Sequence, residues 1–376
     1  MSRINSLRVL HIASGDLWAG AEVQLYTLVT SLHALGVFTG VIVLNHGTLE
    51  QKLRHAGIDV VVLDETQLNG IRILRQLVRI IRKQRPDVIH THRFKENILG
   101  SFAAVAAGNI PSLRTVHGGP ESRLPFLHIP KRFIYFLDWF SGRFLQKRII
   151  SVSEELAEIL ARKFPRGRIR IIENGINMDD IYRRAGQPDA GRQNGTFRVG
   201  MVGRLVPIKR VDIFIATARY LQEQAQGAKV EFCIIGDGPL RVEMESLSHE
   251  SGTRGTVRFM GHQDDILHHI QDLDALMMTS DHEGLPMVLL EAMALRVPII
   301  AHRTGGIPDL LDQGACGVLI DDQDPAAYAR AAMRLKENSE LRTQIVDRAL
   351  TRVSGKYSAK QNAQACLAEY ISLVNP

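Results

Sequence analysis

The stretch DALMMTSDHEGLPMVLLEAMA, residues 274–294, predicts a strand, a loop and a helix in direct succession. The apolar run at residues 273–279 is typical of a buried strand, and Pro286 suits the first position of a helix. A helix start offers unpaired backbone N–H groups and a partial positive charge, which together suit a phosphate group. Glu283 would then lie in the loop and Glu291 in the helix, with both carboxylates facing one crevice. That layout suits a ligand with sugar hydroxyls at one end and a nucleotide ribose at the other.

The same stretch is also compatible with an ordinary helix start. Acidic residues are common near helix N-termini because the helix dipole favours them, and Glu291 could be a solvated helix residue. The rest of the chain therefore has to decide between a ligand site and a plain structural element.

Strand-like runs alternate with helical patterns almost throughout the chain. In the first half the strands are expected at residues 7–13, 38–44, 59–63, 87–91, 112–116, 148–152 and 168–172. In the second half they are expected at residues 197–203, 230–235, 256–260, 273–279, 297–301 and 317–320. Such alternation predicts parallel sheets covered by helices on both faces. The fold class is therefore α/β, with two doubly wound domains and a ligand cleft between them.

The length of 376 residues also favours two domains over a single core. The polar, glycine-rich stretch at residues 182–196 interrupts the alternation and is interpreted as a linker. We therefore expect one domain at residues 1–190 and a second at residues 191–356. The last helical segment, within residues 357–376, is expected to pack back on the first domain.

Charge and cysteine content restrict the environment more than the function. The net charge of +6 favours anionic partners, which include phosphorylated ligands, an anionic membrane face and nucleic acid. Apolar runs fall short of the roughly 20 residues that a spanning helix needs, and no signal peptide is evident. Cys233, Cys316 and Cys366 are widely spaced and odd in number, which is typical of buried thiols in a reducing compartment. A cytoplasmic location is therefore expected.

A second candidate element for phosphate binding is FRVGMVGRLVPIKRVD, residues 197–212. Gly203 allows a sharp turn after the predicted strand. Arg204 can then fork onto phosphate oxygens and Lys209 can supply a point charge, so that a diphosphate would need no metal. An ordinary basic surface loop is the alternative for this stretch taken alone.

Glycines follow three further strands of the second half. Gly236, in EFCIIGDGPLR, resembles the start of a dinucleotide fingerprint, but the third glycine is missing, so the signal for a dehydrogenase is weak. A turn that lets a nucleotide base approach the backbone is the better interpretation. Gly261 repeats this pattern, and Gly305 and Gly306 lie at the end of yet another strand.

Small residues and a histidine follow strands of the first half. Ala19 and Gly20, in SGDLWAGAEVQL, are small enough for a ligand to meet the start of the next helix, although a plain turn explains them equally well. His117, in RTVHGGPE, lies at a strand end before two glycines, where it could contact a substrate hydroxyl. A satisfied core histidine is the alternative.

Two patterns raise the question of a metal. His90 and His92 point the same way from one strand and would need a third histidine, because no carboxylate or cysteine accompanies them. A structural or acceptor-side role is preferred for this pair. Residues 322–324 spell Asp-Gln-Asp, a metal-binding pattern in some sugar-transferring enzymes, but Asp324 before Pro325 is typical of a helix N-cap. No metal or other cofactor is therefore expected.

Taken together, GRLVPIKRVD and HEGLPMVLLE resemble the motifs of glycosyltransferase family 4 (glycosyl transferases group 1), retaining enzymes of the GT-B fold. The resemblance spans almost the whole chain and is strongest over residues 197–320. It implies that Arg204 and Lys209 bind the diphosphate of a nucleotide sugar. It also implies that Glu283 contacts the transferred sugar and that Glu291 binds the ribose.

The resemblance carries further residues into the expected site. It implies catalytic roles for His117, Glu283, Arg204 and Lys209, with His117 near the sugar and the acceptor. The remaining residues expected to contact the donor are Ala19, Gly20, Gly203, Gly236, Gly261, Gly284, Leu285, Pro286 and Met287. Two positions depart from the family pattern. Ala19 replaces the first glycine of a commoner pair, and His282 replaces a frequent aromatic residue.

The implied reaction moves a sugar, expected from a UDP-linked donor, to a glycan or lipid-linked acceptor in polysaccharide or cell-envelope biosynthesis. The first domain would face the acceptor and the second would bind the donor. No side chain is an obvious nucleophile, which fits the family mechanism in which the leaving phosphate oxygen helps to deprotonate the acceptor. Preset electrostatic groups would stabilise the departing diphosphate.

Two other functions and one membrane contact stay open. A nucleotide-sugar epimerase can share this fold, and the basic charge would also suit a nucleic-acid-binding protein, although no recognition helix or ribonucleoprotein motif is present. The aromatic run IPKRFIYFLDWFSGRFLQKRI, residues 129–149, has basic flanks. It could contact an anionic membrane peripherally at its inner face, or pack as a helix on the sheet.

Overall fold

The computed structural model describes residues 7–118, 129–187, 195–224 and 229–375, without the side chains of residues 129–131. Backbone contacts divide the chain into two compact units. The first unit contains the described residues up to Gly175 together with those from Ala359 onward, and the second contains Ile176–Ser358.

The first unit is built on a parallel sheet of seven strands. The strands are β1 (Arg8–Ala13), β2 (Phe38–Val43), β3 (Asp59–Val62), β4 (Val88–Thr91), β5 (Ser112–Val116), β6 (Arg148–Ser151) and β7 (Ile169–Ile171). Their order across the sheet is β3-β2-β1-β4-β5-β6-β7. The order reverses between β1 and β4, and the loops that follow these two strands diverge at this switch point, where open α/β sheets bind ligands.

Helices cover both faces of the first sheet. They are α1 (Gly20–Ala34), α2 (Thr48–His55), α3 (Gly70–Gln84), α4 (Phe94–Ala106), α5 (Ile129–Phe140), α6 (Glu154–Ala161) and the last helix of the chain, α15 (Ala359–Val374). A π-helical turn, Ser141–Leu145, continues α5. Because successive strand side chains point to opposite faces, Ile12 packs with Leu77 of α3, whereas Ala13 packs with Val29 of α1.

The last helix packs on the first unit beside α1. The Gln24 amide donates a 3.0 Å hydrogen bond to Asn362, whose own amide donates to the Glu173 carbonyl at 2.6 Å. The Tyr370 hydroxyl lies 2.7 Å from Nδ1 of His90, in the middle of the sheet. These polar contacts fix the position of α15 along the sheet.

The second unit repeats the same architecture with six strands. They are β8 (Phe197–Val202), β9 (Val230–Ile235), β10 (Val257–Gly261), β11 (Ala275–Met278), β12 (Ile299–His302) and β13 (Val318–Ile320). All pair in parallel in the order β10-β9-β8-β11-β12-β13, so the switch point lies between β8 and β11. The helices are α7 (Met178–Ala185), α8 (Val211–Gln224), α9 (Arg241–Glu250), α10 (Leu267–Gln271), α11 (Met287–Ala294), α12 (Ile307–Leu310), α13 (Pro325–Glu337) and α14 (Ser339–Lys356).

The predicted α/β fold class with two doubly wound domains is confirmed, and every strand expected from the alternation is present with small shifts at its ends. Pro286 was expected as the first helical residue, which is wrong by one position. Its φ of −72° and ψ of 123° are extended, so it is the N-cap of α11.

Part of the expected linker is also helical. Residues 182–185 belong to α7, a short amphipathic helix in which Ile181 and Ala185 are buried one turn apart. The helix was not predicted because most of its residues are polar. Residues 188–194 of that linker lie outside the described residues. The change of unit falls at Ile176 rather than at the expected residue 190.

Candidate active site

A lysine and a glutamate meet at the switch point of the second sheet. Lys209 ends a 3-10 turn after β8, and Glu283 lies in the loop after β11. The Lys209 Nζ atom is 2.6 Å from Oε1 of Glu283, and both side chains are largely shielded from water. Two residues 74 positions apart are therefore brought together because their strands are neighbours in the sheet.

The backbones of these two loops are tied together by hydrogen bonds. The Thr279 hydroxyl lies 2.9 Å from the carbonyl oxygens of both Lys209 and Arg210 and can donate to either. The Asp281 N–H donates to the Ile208 carbonyl at 2.8 Å. The positions of the lysine and of the loop that carries Glu283 are thus set before any ligand arrives.

Arg210, the residue after Lys209, holds these two loops together through hydrogen bonds. Its guanidinium donates to Asp212 at 2.8 Å, to Asp281 at 3.3 Å and to the Gln323 side chain at 2.6 Å. The hydrogen bonds to Asp212, followed by the attraction of both carboxylates, raise the pKa of Arg210 above its usual range. The sequence motif drew attention to Lys209, whereas the supporting role of Arg210 depends also on Asp281 and Gln323 from two other loops.

The predicted glycines lie at the same edge of the sheet, where they permit close packing between loops. A side-chain carbon on Gly236 would lie 2.0 Å from the carbonyl oxygen of Gly203, and both glycines have positive φ. The Gly236 N–H donates to the Gly261 carbonyl at 2.8 Å. These three glycines thus join the loops after β8, β9 and β10.

A fourth glycine supports the acidic loop directly. A side-chain carbon on Gly305 would lie 1.7 Å from the carbonyl oxygen of Glu283, a separation that no real structure tolerates. The Gly306 N–H donates to the Gly284 carbonyl at 2.9 Å. The loop after β12 is therefore pressed against the backbone that positions Glu283, which the sequence indicated only as a glycine pair at a strand end.

Glu291 is buried in α11, a short distance along the chain from this loop. Leu285 and Met287 are buried, so the backbone from Glu283 into the helix is firmly packed. Burial raises the pKa of Glu291 to about 7, and the positive charge of Arg184 opposes this effect. Arg184 also donates two 3.0 Å hydrogen bonds to Asp265, a pair that sequence patterns did not indicate.

Arg204 follows Gly203 directly and is exposed, on the same loop as Lys209. The second unit therefore contains the predicted cations, the predicted acids and the glycines of three strand ends, and it brings Lys209 and Glu283 into contact. The remaining predicted residues, Ala19, Gly20 and His117, belong to the first unit.

In the first unit, the small residues lie at its own switch point. Ala19 is the N-cap of α1 with extended backbone (φ −136°, ψ −178°), and Gly20 is the first residue of the helix and is exposed. Glu22 in the first turn forms an ion pair with Arg93, which follows β4, at a distance of 2.8 Å. The helix start after β1 is thereby tied to the loop after the neighbouring strand.

His117 follows β5, and its ring stacks on His92 with centroids 5.7 Å apart. Its two ring nitrogens are shielded from solvent and have no hydrogen-bond partner among the described residues. Burial lowers the pKa of His117 to about 4, with a smaller contribution from the charge of Arg93. The ring is therefore neutral near pH 7 and offers one donor and one acceptor to a hydroxyl group.

The third histidine that a metal would require is present in the first unit. His11 pairs in register with His90 across β1 and β4, and its Nδ1 lies 3.0 Å from Nε2 of His92. Among the described residues, these three form the one cluster with metal-like spacing. However, both ring nitrogens of His90 already have partners at 2.7 Å, Tyr370 and Thr115. This hydrogen bonding favours the structural role expected for the pair.

The Asp-Gln-Asp sequence is confirmed as a helix start. Asp324 accepts a 3.0 Å hydrogen bond from the Ala326 N–H and caps α13. The Gln323 side chain donates to Asp281 at 2.9 Å and so belongs to the bracing of the acidic loop.

Comparison with known families assigns the class of this protein. Residues 18–180 match the family model described as Glycosyltransferase Family 4, and residues 184–352 match the model described as Glycosyl transferases group 1. The chain belongs to the glycosyltransferases and has the GT-B fold. These matches favour sugar transfer over the epimerase alternative.

Individual relatives agree with this class. The chain is 25% identical, over 78% of its length and 77% of the relative, to a UDP-Gal:alpha-D-GlcNAc-diphosphoundecaprenol alpha-1,3-galactosyltransferase of Escherichia coli. It is 26% identical, over 76% of its length and 71% of the relative, to a 2-deoxystreptamine N-acetyl-D-glucosaminyltransferase of Streptomyces fradiae. The solved structure of Anabaena HepE with UDP and glucose has the same fold, with a TM-score of 0.83 at 19% identity over 97% of this chain and 99% of that one.

Proposed function

We propose that the protein is a retaining glycosyltransferase that moves a sugar from a UDP-linked donor to a glycan or lipid-linked acceptor in cell-envelope polysaccharide synthesis. The observation that carries the proposal is the 2.6 Å contact of Lys209 and Glu283 at the switch point of the second sheet. The Escherichia coli relative is named for a UDP-linked donor and a diphosphoundecaprenol acceptor, which supports both choices.

The lysine–glutamate pair prepares the site for a charged donor. A diphosphate brings negative charge that competes with Glu283 for Lys209, and Arg204 on the same loop adds a second cation. When Lys209 turns to the phosphates, Glu283 is released to accept hydrogen bonds from sugar hydroxyls. The pair therefore neutralises two partly buried charges until the donor replaces one partner.

The remaining contacts follow the direction of the chain from Glu283 into α11. We assign the backbone of residues 284–287 to the sugar and the phosphates, since N–H groups at a helix start suit anions. Glu291 is assigned to the ribose hydroxyls of the nucleotide. Gly203, Gly236 and Gly261 keep the loop backbones close enough for the base and the phosphates to approach them.

The chemistry needs a stabilised leaving group more than a nucleophile. As the bond from the anomeric carbon to the diphosphate breaks, charge grows on the phosphate oxygen, and Lys209 and Arg204 stabilise it. One preset donor of this kind contributes roughly 3–4 kcal/mol to such a transition state. The same oxygen takes the acceptor proton, so the sugar is delivered on the face that the diphosphate leaves and the configuration is retained. We assign neutral His117 to a sugar or acceptor hydroxyl.

Two cations on one loop also remove the need for a metal at the diphosphate. We therefore expect full transfer activity in excess chelator. Activity that is lost in chelator and restored by a divalent ion would contradict this part of the proposal.

The direct test is product analysis with a UDP-sugar and a lipid-linked diphosphate sugar as acceptor. We expect a new glycosidic bond with the anomeric configuration of the donor, read from proton coupling constants by NMR. Lys209→Ala should reduce turnover by roughly 100- to 1,000-fold, the loss expected when one preset donor of this kind is removed. Lys229→Ala removes an exposed lysine just before β9 and should leave turnover unchanged.

Three outcomes would contradict the proposal. They are an inverted product, donor conversion without any acceptor as an epimerase would show, and full activity of the Lys209→Ala protein. Because the proposed acceptor is lipid-linked, we place the reaction on the cytoplasmic side of a membrane, with peripheral contact through residues 129–149.

A further inference from the structure

The aromatic segment after β5 has packed and exposed side chains. Some pack inward, since Tyr135 lies 4.7 Å from Phe94 between ring centroids and Phe140 stacks on Phe102 at 6.4 Å. The remaining part of its surface is open to solvent. Its exposed apolar side chains are Phe133, Ile134, Phe136, Trp139 and Phe144, with exposed fractions of 61%, 44%, 50%, 37% and 52%. The interpretation of this segment as a packed helix is therefore confirmed for Tyr135 and Phe140, and the membrane interpretation stays a prediction that concerns the exposed side chains.

A second unusual surface lies on α3. Its inner face is apolar and buried through Ile73, Leu77 and Ile81. Its outer face and C-terminal end carry exposed cations and no acidic residue at all, namely Arg72, Arg75, Arg79, Arg82, Lys83 and Arg85. Within the part of the chain that the structure describes, none of these six side chains forms an ion pair with a carboxylate. Such a stripe of like charges repels itself, which costs stability unless an anionic partner screens it.

The two surfaces belong to one layer of helices. α3 packs against α4, where the Arg82 guanidinium donates to the Ala106 carbonyl at 2.8 Å, and α4 packs against α5. Val105, near the end of α4, is also exposed. We call the exposed side chains of α3, of Val105 and of the segment 132–147 the α3–α5 surface.

We propose that the α3–α5 surface docks the protein on an anionic lipid bilayer, with the α3 cations at the headgroups and the α5 aromatics in the interfacial region. Phenylalanine and tryptophan side chains are the ones that enter this region, and each nearby cation adds about 1 kcal/mol on an anionic membrane. Among the helices that the structure describes, none is long and apolar enough to span a membrane. Docking is therefore through a surface.

A bilayer fits this surface better than nucleic acid does. Nucleic acid would use the cations of α3, but it would leave five exposed apolar side chains of the aromatic segment in water. A bilayer accommodates both groups at once. The inference rests on the proposed lipid-linked acceptor for its biological purpose, whereas the docking itself can be measured without turnover.

The test measures binding of the full chain to vesicles of phosphatidylcholine alone and of phosphatidylcholine with phosphatidylglycerol, by co-sedimentation. We expect binding to the anionic vesicles that weakens with salt. The triple variant Arg72→Gln/Arg75→Gln/Arg79→Gln should bind about 100-fold more weakly, at about fivefold per cation. Phe133→Ser/Phe136→Ser should also weaken binding, but with the salt dependence retained.

The matched control is Arg162→Gln/Arg254→Gln/Arg258→Gln, which removes three exposed cations elsewhere. It should bind vesicles like the unmodified chain. Equal binding by the α3 variant and this control, binding to neutral vesicles alone, or tight binding to DNA with none to vesicles would each overturn the proposal. UDP binding in solution distinguishes the proposed function from the docking proposal. A chain that binds UDP but no vesicle would contradict the docking proposal and leave the proposed function standing.

Discussion

At the scale of single residues, burial raises the pKa of two glutamates, of which only Glu291 is assigned to a ligand. Burial raises the pKa of Glu291 in the second unit and of Glu96 in the first unit to about 7. An unfolded glutamate has a pKa of about 4.3. Between that value and 7, the native chain keeps a proton that the unfolded chain releases. Each glutamate therefore lowers the stability of its unit as the pH rises through this window, and the loss is complete above pH 7.

Glu291→Gln should stabilise the second unit above pH 7, because an amide never has to ionise in the core. At pH 8 the gain in free energy of unfolding is expected on the order of 3 kcal/mol, and it should vanish near pH 4. The same variant should lose UDP binding, since both carboxylate oxygens accept hydrogen bonds from ribose hydroxyls, whereas the amide replaces one of these oxygens with an NH2 group that only donates. Denaturant unfolding at both pH values and titration with UDP measure the two effects.

Glu96→Gln is the matched control for this prediction. It should show a similar gain in stability at high pH in the first unit and keep UDP binding unchanged. Unimpaired UDP binding by the Glu291 variant would refute the ribose assignment. A fall in stability at pH 8 would refute the raised pKa.

At the scale of elements, the loops after the parallel strands carry Lys209 and Glu283, and glycines allow these loops to pack closely on one another. Gly305 has a φ of +58°, a region that side chains disfavour, and its α-carbon faces the Glu283 carbonyl. The loop after β12 therefore supports the backbone of the acidic loop.

Gly305→Ala should displace the loop that carries Glu283 and reduce both stability and transfer. We expect a loss of about 2–3 kcal/mol in the free energy of unfolding, from the strained φ and the steric overlap. The control is Gly255→Ala, since a side-chain carbon on Gly255 meets no other atom within 4 Å and its φ is not in the left-handed region. Gly255→Ala should be nearly neutral in both measurements. Normal activity of the Gly305 variant would show that the loop contact is dispensable.

Element ends were harder to predict than element types. Near-continuous apolar runs located every strand, because a parallel strand that is buried on both faces leaves a strong signal. The exact start of α11 was missed, since proline is favourable both just before and just inside a helix. The helix α7 was missed because it is short and polar, and the Arg184 contact with Asp265 that anchors it comes from 81 residues away.

At the scale of the whole molecule, the site could be predicted in kind but not in its contacts. The motifs around Lys209 and Glu283 indicated a diphosphate and a sugar, and the alternation predicted that both follow parallel strands. That β8 and β11 are neighbours depends on the strand order, which no local pattern encodes. For the same reason, the contacts of Arg210 with Asp281 and Gln323 became visible only in the structure.

The most direct measurement is calorimetric titration of the purified chain with UDP in excess chelator, with GDP as the comparison. We predict stoichiometric UDP binding without a metal, weaker GDP binding, and a Kd for Lys209→Ala that is roughly 10- to 100-fold higher. Lys229→Ala should bind UDP like the unmodified chain. UDP binding that requires a divalent ion, or that survives Lys209→Ala unchanged, would contradict the claim that this lysine and its loop bind the donor diphosphate.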